Sequence, residues 1–246
     1  MIEELFVASS WWLVYIATFF YFMVLYFGFA LVGEFFSKHF LPKRGIGISL
    51  SEKRNDPSQR RKEIRYSLIS ISVFGFFGVL PKILYELNWV NIKWDINWKI
   101  LPFELVFVFL WNDLHFYCCH WLLHRRRLFN RVHYIHHQSY SPTAFSTYSF
   151  HWFEALLLST VMIIPMFFYD FSYLTLLLLP VMSIFINTLG HWNYDLFPDK
   201  KNRLYKFSFH HSLHHSKVKG NYGFFLSVFD QLFGTELDVM ENSSKK

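Results

Sequence analysis

The sequence predicts an all-α polytopic membrane protein with about four to five transmembrane helices. Hydrophobic residues make up 53% of its 246 residues and aromatic residues 22%, including 31 phenylalanines. That content is unusual for a water-soluble domain of this size. The apolar residues fall in long runs, and the basic residues fall between the runs, as is typical of a polytopic membrane protein.

Five apolar runs are candidate transmembrane helices, because about 20 residues suffice to cross the hydrocarbon core of a bilayer. The runs are Leu5–Phe36, Tyr66–Val90, Leu101–His124, Trp152–Tyr169 and Phe171–Leu189. The last two meet near Asp170, so a hairpin of two short helices is an alternative to two full spans there. The first run follows acidic residues rather than basic ones, which argues against a cleaved signal peptide.

The placement of the basic residues predicts the topology. Of 24 Lys and Arg, nine lie between residues 38 and 65, four between 125 and 131, and eight between 200 and 246. Because cytoplasmic loops carry an excess of Lys and Arg, these three segments are predicted to face the cytoplasm. A nucleic-acid-binding surface is a weaker interpretation, because the clusters separate long apolar segments.

Histidines are concentrated in the second half of the chain. Twelve of 13 lie between His115 and His215, and His-x-x-His-His occurs twice, as "HYIHH" (133–137) and "HSLHH" (211–215). Residues three and four apart share a helix face, so the rings of each motif are able to converge. "HWLLH" (120–124) adds a pair at the end of the third run.

These motifs predict a dinuclear metal site in a cytoplasmic histidine-rich cap. Neutral imidazole suits Zn, Cu, Fe and Ni, and one tetrahedral ion needs about four ligands, so eight or nine histidines indicate two ions. The candidate ligands are His120, His124, His133, His136, His137, His211, His214 and His215, with His191 as a ninth. His39 and His210 are left outside the site.

A polar stripe precedes the first histidine pair. Asp113, Tyr117, His120 and His124 fall within a narrow arc at 100° per residue, whereas His115 points the other way. Asp113 is therefore a candidate to orient a ligand histidine through its carboxylate.

Several motifs in order resemble the fatty acid hydroxylase superfamily, also called the sterol desaturase family of membrane di-iron enzymes. They are "DLHFYCCHWLLH" (113–124), the two His-x-x-His-His boxes, "GHWN" (190–193), "NYG" (221–223) and "DQLFGT" (230–235). The resemblance covers residues 111–235. It marks Asp113, Tyr117 and Asn193 as candidate catalytic residues.

Some positions depart from the family pattern. In "SFHWFE" (149–154) the candidate catalytic residues His151 and Glu154 remain, while Ser149 and Trp152 replace Arg and Pro. Asp195 stands where some relatives add a histidine.

The resemblance implies a membrane-bound oxygenase that uses two iron ions, O₂ and external electrons to hydroxylate or desaturate a fatty acyl chain, a sterol or a related lipid. Zinc is able to occupy the same imidazoles in a purified sample. The sequence shows no cytochrome b5-like domain or iron–sulfur cysteine set, so the expected partner is a separate cytochrome b5- or ferredoxin-like donor with its reductase. Residues 1–100 are then N-terminal transmembrane helices with a basic loop, and 101–246 are the catalytic region.

This reading places the protein in the endoplasmic reticulum of a eukaryote or the inner membrane of a bacterium, with its site facing the cytoplasm. Two other functions are weighed. A membrane zinc-dependent lipid hydrolase, resembling ceramidases, would need about three histidines and an open water position. A metal transporter would place its site near the bilayer midplane, whereas these histidines lie at the ends of the apolar runs.

Overall fold

The computed structural model describes residues 2–51, 56–198 and 206–237, and these residues are mostly helical. The α-helices are α1 (Ile2–Ala8), α2 (Trp11–Phe35), α3 (Leu41–Lys43), α4 (Pro57–Glu86), α5 (Leu101–Leu123), α6 (Arg126–Leu128), α7 (Tyr134–His137), α8 (Trp152–Ser159), α9 (Ile163–Met166), α10 (Tyr173–His191), α11 (Phe207–Lys217) and α12 (Val228–Leu232). Two π-helical turns (Phe36–Phe40, Phe129–His133), a 3₁₀ helix (Ala144–Tyr148) and two short strands, β1 (Ile48–Ser49) and β2 (Tyr194–Asp195), complete the set. The predicted all-α class is confirmed.

Three helical segments in the described ranges are long and apolar enough to cross a membrane, namely Trp11–Lys43, Pro57–Glu86 and Tyr173–His191. α5 is also 23 residues long, but it carries Glu104 and Asp113 and is not one of the three. The protein is therefore an integral membrane protein by the length and composition of its helices.

The predicted span Trp152–Tyr169 is instead two short helices, α8 and α9, within a shorter apolar segment. Pro165 has no N–H to donate to the carbonyl oxygen of Val161, four residues earlier, and so interrupts the helix. The indole Nε1 of Trp111 donates to the carbonyl oxygen of Val161 at 2.6 Å, in the turn that joins α8 to α9. The short-helix alternative therefore holds for the first of the last two runs, while the second forms the full-length α10.

α4 begins well before the apolar run that predicted it. The side chain of Asp56 caps the helix by accepting from the backbone N–H of Ser58 at 2.9 Å, and Pro57 occupies the first turn, where its missing N–H costs nothing. α4 packs closely against α2, because a Cβ on Gly78 would lie 2.4 Å from the side chain of Thr18. Small residues at such crossings let two membrane helices approach.

The segment after the first His-x-x-His-His box folds into the protein core. Residues 141–150 are all buried, and the 3₁₀ helix packs against α2, α4 and α10. Glu63 of α4 anchors this segment by accepting hydrogen bonds from the hydroxyls of Ser139 at 2.8 Å and Thr143 at 2.7 Å.

The histidine motifs all come to one end of the helical bundle. β1 pairs with β2 in antiparallel register, with Ile48 opposite Asp195, and so ties the loop after α2 to the end of α10. Glu63 ties the start of α4 to the same region. The C-terminal ends of α2, α5 and α10 and the N-terminal part of α4 therefore surround the histidine-rich cap. Several predicted cytoplasmic basic residues, among them 53, 54, 200, 201, 203, 245 and 246, lie outside the described residues.

Candidate metal centre

The nine histidines proposed from sequence converge in two groups. A five-histidine group contains His120, His124, His133, His137 and His214, and a four-histidine group contains His136, His191, His211 and His215. Within each group every candidate ligand atom lies within 4.8 Å of the others. Neither His39 nor His210 belongs to a group.

Each His-x-x-His-His box supplies both groups. In the first box His133 and His137 enter the five-histidine group and His136 enters the other. In the second box His211 and His215 enter the four-histidine group and His214 enters the other. The spacing predicted that all three rings of a box converge, but adjacent side chains diverge by about 100° on a helix. His136 and His137, and likewise His214 and His215, therefore enter different groups. Both copies of the motif thus supply candidate ligands to both groups, which are the two candidate metal positions.

The ring nitrogens converge through Nε2. In the four-histidine group the Nε2 atoms of His191 and His211 are 2.9 Å apart, and those of His211 and His215 are 3.1 Å apart. In the five-histidine group the Nε2 atoms of His214 and His137 are 3.2 Å apart. Nitrogen atoms bound to one ion at about 2.0–2.1 Å lie at similar separations.

The protonation state of these rings suits metal binding. Burial, reinforced by the neighbouring imidazoles, holds the pKa of His136, His211 and His215 well below the ordinary value. Burial also lowers the pKa of His214 to about 4. The rings are therefore neutral at physiological pH, which is the form that binds a metal ion.

Hydrogen bonds to Nδ1 fix the tautomer of four rings. His120 donates to the carbonyl oxygen of Tyr222 at 2.8 Å, His214 to that of Gly220 at 2.6 Å and His191 to that of Asn187 at 2.9 Å. A carbonyl oxygen only accepts, so each Nδ1 carries the proton and each Nε2 keeps its lone pair.

His133 makes the fourth such bond, to a carboxylate. Its Nδ1 donates to Oε1 of Glu154 at 2.8 Å, and both side chains are buried. A carboxylate in this position fixes the ring and makes it a stronger donor to a metal ion. Glu154, a candidate from sequence, therefore lies directly behind a candidate ligand.

Six ring nitrogens of the two groups are buried without a hydrogen-bond partner among the described residues, and two of them test whether the groups fit a metal ion. Nε2 of His120 and Nε2 of His133 are buried and have no hydrogen-bond partner among the described residues. A buried polar atom without a partner costs free energy, and a coordinated ion would satisfy both atoms. The donor set is all nitrogen, which fits iron or zinc.

The predicted role of Asp113 is wrong. Its carboxylate accepts from the backbone N–H groups of Phe225 at 2.9 Å and Leu226 at 3.3 Å, not from a histidine. Asp113 is seven residues before His120, roughly 10 Å along the helix axis at about 1.5 Å per residue. That distance is too long for a carboxylate to reach the ring.

The other candidate catalytic residues also bond elsewhere. The Tyr117 hydroxyl is 3.1 Å from the Thr235 hydroxyl. His151 caps α8 by accepting from the N–H of Phe153 at 3.1 Å. Asn193 adopts a positive φ of 57° and donates to the carbonyl oxygen of Ser51 at 3.1 Å. Lys206 pairs with Asp195, the residue that stands where some relatives have a histidine, at 2.6 Å.

Sequence reasoning missed the backbone partners of the rings and the anchor Glu63. The carbonyl groups of Gly220, Tyr222 and Asn187 have no side-chain signature. The only signal for the first two is "NYG" (221–223) with the glycine before it, because Gly220 and Asn221 both adopt positive φ and turn the chain back toward the rings.

The family model described as "Fatty acid hydroxylase" matches residues 105–235. A Delta(7)-sterol 5(6)-desaturase from Gibberella zeae is 28% identical over 134 residues, which cover 54% of this chain and 37% of that protein. Methylsterol monooxygenase 1 from Rattus norvegicus is 27% identical over 187 residues, covering 69% and 61%.

A very-long-chain aldehyde decarbonylase from Oryza sativa subsp. japonica is 31% identical over 141 residues, covering 52% and 22%. The matched region thus spans less than two thirds of the length of these relatives. No solved structure matches the chain. The family match covers more than half of the chain and contains all nine histidines of both groups, and the chain belongs to the fatty acid hydroxylase family.

Proposed function

We propose that this chain is a membrane-bound di-iron oxygenase that hydroxylates or desaturates a lipid with O₂ and external electrons. The observation that carries the proposal is the division of nine buried or half-buried histidines into two groups at one end of a membrane helix bundle. Membership of a family whose members include a sterol desaturase and a methylsterol monooxygenase supports it.

The proposed residues have distinct tasks. The five-histidine and four-histidine groups would each hold one iron ion, and the irons would supply O₂ activation and removal of hydrogen from an unactivated carbon. Glu154 and the carbonyl oxygens of Gly220, Tyr222 and Asn187 keep Nε2 of their rings free of protons. The buried rings would keep bulk water away from the bound ions.

The net reaction determines what the partners must deliver. Hydroxylation consumes the lipid, O₂, two electrons and two protons, and yields the alcohol and one water molecule. Desaturation consumes the same co-reactants and yields the alkene and two water molecules. Either reaction therefore requires an electron donor.

A basic surface on the histidine-rich end is suited to an acidic donor. Six exposed basic residues belong to it, namely Arg125, Arg126, Arg127, Arg131, Lys217 and Lys219. They flank the half-buried His124 of the five-histidine group. We place a cytochrome b5- or ferredoxin-like carrier here, reduced by its own reductase, since opposite charge speeds the encounter.

A cavity of about 380 Å³ adjoins the end of α2 and is the proposed place for the polar end of the lipid. Ser37, Thr143, Trp192 and Asn193 line it, and the last two directly follow His191. Leu31, Val32 and Phe35 of α2 are exposed apolar residues close in sequence to Ser37, and they would contact the apolar part of the lipid.

The proposed orientation places the histidine-rich end in the cytoplasm. Of the Lys and Arg residues, only Lys82, Lys93 and Lys99 belong to the opposite side in the predicted topology. The membrane would be the endoplasmic reticulum in a eukaryote or the inner membrane in a bacterium. Residues 101–246 would form the catalytic region and residues 1–100 its membrane support.

The test compares lipids from aerobic cells that express the wild type or His136→Ala. A lipid class that gains one oxygen in wild-type cells identifies a hydroxylase, and one that loses two hydrogens identifies a desaturase. Purified protein that converts lipid equally well without O₂ would replace the oxygenase by a zinc-dependent hydrolase. Full activity in His136→Ala would end the assignment of the centre.

A further inference from the structure

The chain after the second histidine box turns back beneath the metal centre through left-handed backbone. Val218, Gly220 and Asn221 adopt φ of 60°, 63° and 50°. A Cβ on Gly220 would lie 2.7 Å from the carbonyl oxygen of Thr235, so this position accommodates only glycine. The turn directs the carbonyl oxygens of Gly220 and Tyr222 toward His214 and His120, both of the five-histidine group.

One buried carboxylate holds this turn in place. Asp230 accepts from the backbone N–H of Tyr222 and of Gly223, each at 2.7 Å, and from the hydroxyl of Thr235 at 2.7 Å. The Thr235 proton is thereby used, so Tyr117 donates to Thr235 at 3.1 Å. Asp230 thus joins the turn that precedes α12 to Thr235, which follows α12.

The hydrogen bond from Gly223 to Asp230 restrains a peptide unit that also contacts a candidate ligand. The carbonyl group of Tyr222 and the N–H of Gly223 are the two ends of one planar peptide unit. Asp230 holds the N–H end at 2.7 Å, and the carbonyl end accepts from His120 Nδ1 at 2.8 Å. Fixing the plane therefore fixes the tautomer and the direction of the His120 ring.

Among the described residues, no hydrogen bond joins this loop to a ring of the four-histidine group, although Phe224 packs near His211 with ring centroids 6.3 Å apart. The one ring of that group with a fixed Nδ1 is His191, whose acceptor is the Asn187 carbonyl oxygen within the same helix, α10. Disturbing the loop after α11 leaves that hydrogen bond intact.

We propose that Asp230 is a positioning residue for the five-histidine group alone, acting through the Tyr222–Gly223 peptide on His120. This inference rests on the proposed metal centre. It makes the two metal positions separable by a substitution that touches no histidine.

The test uses the full-length protein with Asp230→Asn, reconstituted separately with Fe(II) and with Zn(II). Asparagine has one acceptor oxygen and presents an amide nitrogen where the second acceptor was. That nitrogen faces either the N–H of Gly223 or the N–H of Tyr222 and the hydroxyl of Thr235, and it cannot accept from them. Loss of such outer support typically weakens metal affinity about 10- to 100-fold. With free metal held just above the concentration that saturates the wild type, we therefore expect occupancy to fall from about two ions toward about one ion per chain. The Mössbauer spectrum of isotopically enriched iron should lose one of its two components.

A second variant disturbs the same contact and keeps the charge. The Cβ of Gly223→Ala would lie 2.6 Å from Asp230 Oδ2 and 2.9 Å from the Leu226 carbonyl oxygen, so it pushes the carboxylate off the peptide. The same component of the spectrum should be lost.

Glu104→Gln is the matched control for general destabilisation. Glu104 is also a buried carboxylate on several donors, accepting from Tyr169, Ser172 and Thr175, but it contacts no histidine of either group. This variant should unfold more easily and keep both ions. Retention of both ions in Asp230→Asn, or loss of the same component in Glu104→Gln, would overturn the inference.

The proposed function fails separately. A wild type that binds two zinc ions but no iron would refute the di-iron oxygenase, while the zinc counts of the variants would still decide the role of Asp230. A wild type that binds neither metal overturns both proposals.

Discussion

His136 and His137 are neighbours in the chain, yet their rings belong to different histidine groups. The two rings are nearly perpendicular, with an interplanar angle of 86° and centroids 5.9 Å apart. Consecutive side chains on a helix diverge by about 100°, so one short helix, α7, is able to serve two metal positions.

Replacing either of these neighbours should affect a different metal position. We expect His136→Ala and His137→Ala each to lower iron from about two ions per chain toward about one, because each removes one ligand from a set of four or five. Metal analysis with Mössbauer spectroscopy should show complementary components in the two variants. His39→Ala, which lies outside both groups, should keep both components; identical spectra for the two neighbouring variants would contradict the division.

Substitutions of Glu154 and His151 should affect metal affinity differently, because Glu154 supports a ligand ring and His151 caps a helix. Glu154→Ala removes the acceptor of His133 Nδ1, and loss of such a partner typically weakens metal affinity about 10- to 100-fold. His151→Ala removes only a cap of α8 and should leave affinity near that of the wild type. Competition with a chromophoric chelator measures both, and equal affinities for the two variants would refute the distinction.

Glu63 should stabilise the buried segment without contributing to metal binding. Glu63→Ala leaves the buried hydroxyls of Ser139 and Thr143 without their acceptor. Each unsatisfied group should lower the free energy of unfolding by about 1–3 kcal/mol. Thermal unfolding in detergent should show a clear loss of stability, and Glu63→Gln, which keeps one acceptor, a smaller one. Folded Glu63→Ala should retain wild-type iron; loss of iron from this folded fraction would show that Glu63 also supports the ligands.

Charge reversal on the basic surface should slow reduction by an acidic donor. Arg126→Glu combined with Arg127→Glu changes two exposed cations, and steered association commonly changes by about tenfold or more with such charges. Stopped-flow reduction at low and high salt measures the effect, which added salt should diminish. Lys93→Glu with Lys99→Glu, on the opposite side, is the control, and a wild-type rate that salt leaves unchanged would argue against electrostatic docking.

Removing the metal should lower the stability of the whole bundle. An ion that binds only the folded state adds about 2.7 kcal/mol at a concentration 100 times its dissociation constant. Extensive chelation should therefore lower the unfolding temperature, and adding back iron or zinc should restore it. If the protein loses its ions to the chelator and its unfolding temperature does not change, metal binding does not stabilise the histidine-rich cap.

Periodicity explains what the sequence could predict. The apolar runs predicted α2, α4, α5 and α10, and the spacing of three and four residues identified eight of the nine histidines that converge, with His191 as a separate ninth candidate. Their division between two groups depends on how α5, α7, α10 and α11 meet, which no single helix encodes. Pro165 is a local signal for the break between α8 and α9, whereas the partner of the freed Val161 carbonyl, Trp111, lies 50 residues away in sequence.

The errors and omissions have a common origin in backbone atoms. Asp113 was expected on a histidine because it shares an arc of α5 with His120, yet its partners are the amides of Phe225 and Leu226. The acceptors of His120 and His214 are carbonyl oxygens, which every residue possesses. A pattern of side chains in the sequence therefore cannot predict which backbone group becomes the partner of a ring.

The buried segment of residues 141–150 constrains the order in which the nascent chain is assembled. Its walls are α2 and α4, which are synthesised earlier, and α10, which is synthesised later. Domains tend to fold as their parts emerge from the ribosome, but this segment is not enclosed until α10 has been inserted. The serine and threonine hydroxyls of this segment therefore become fully buried only after α10 has been inserted. The insertion of α10 is the step that completes this part of the core.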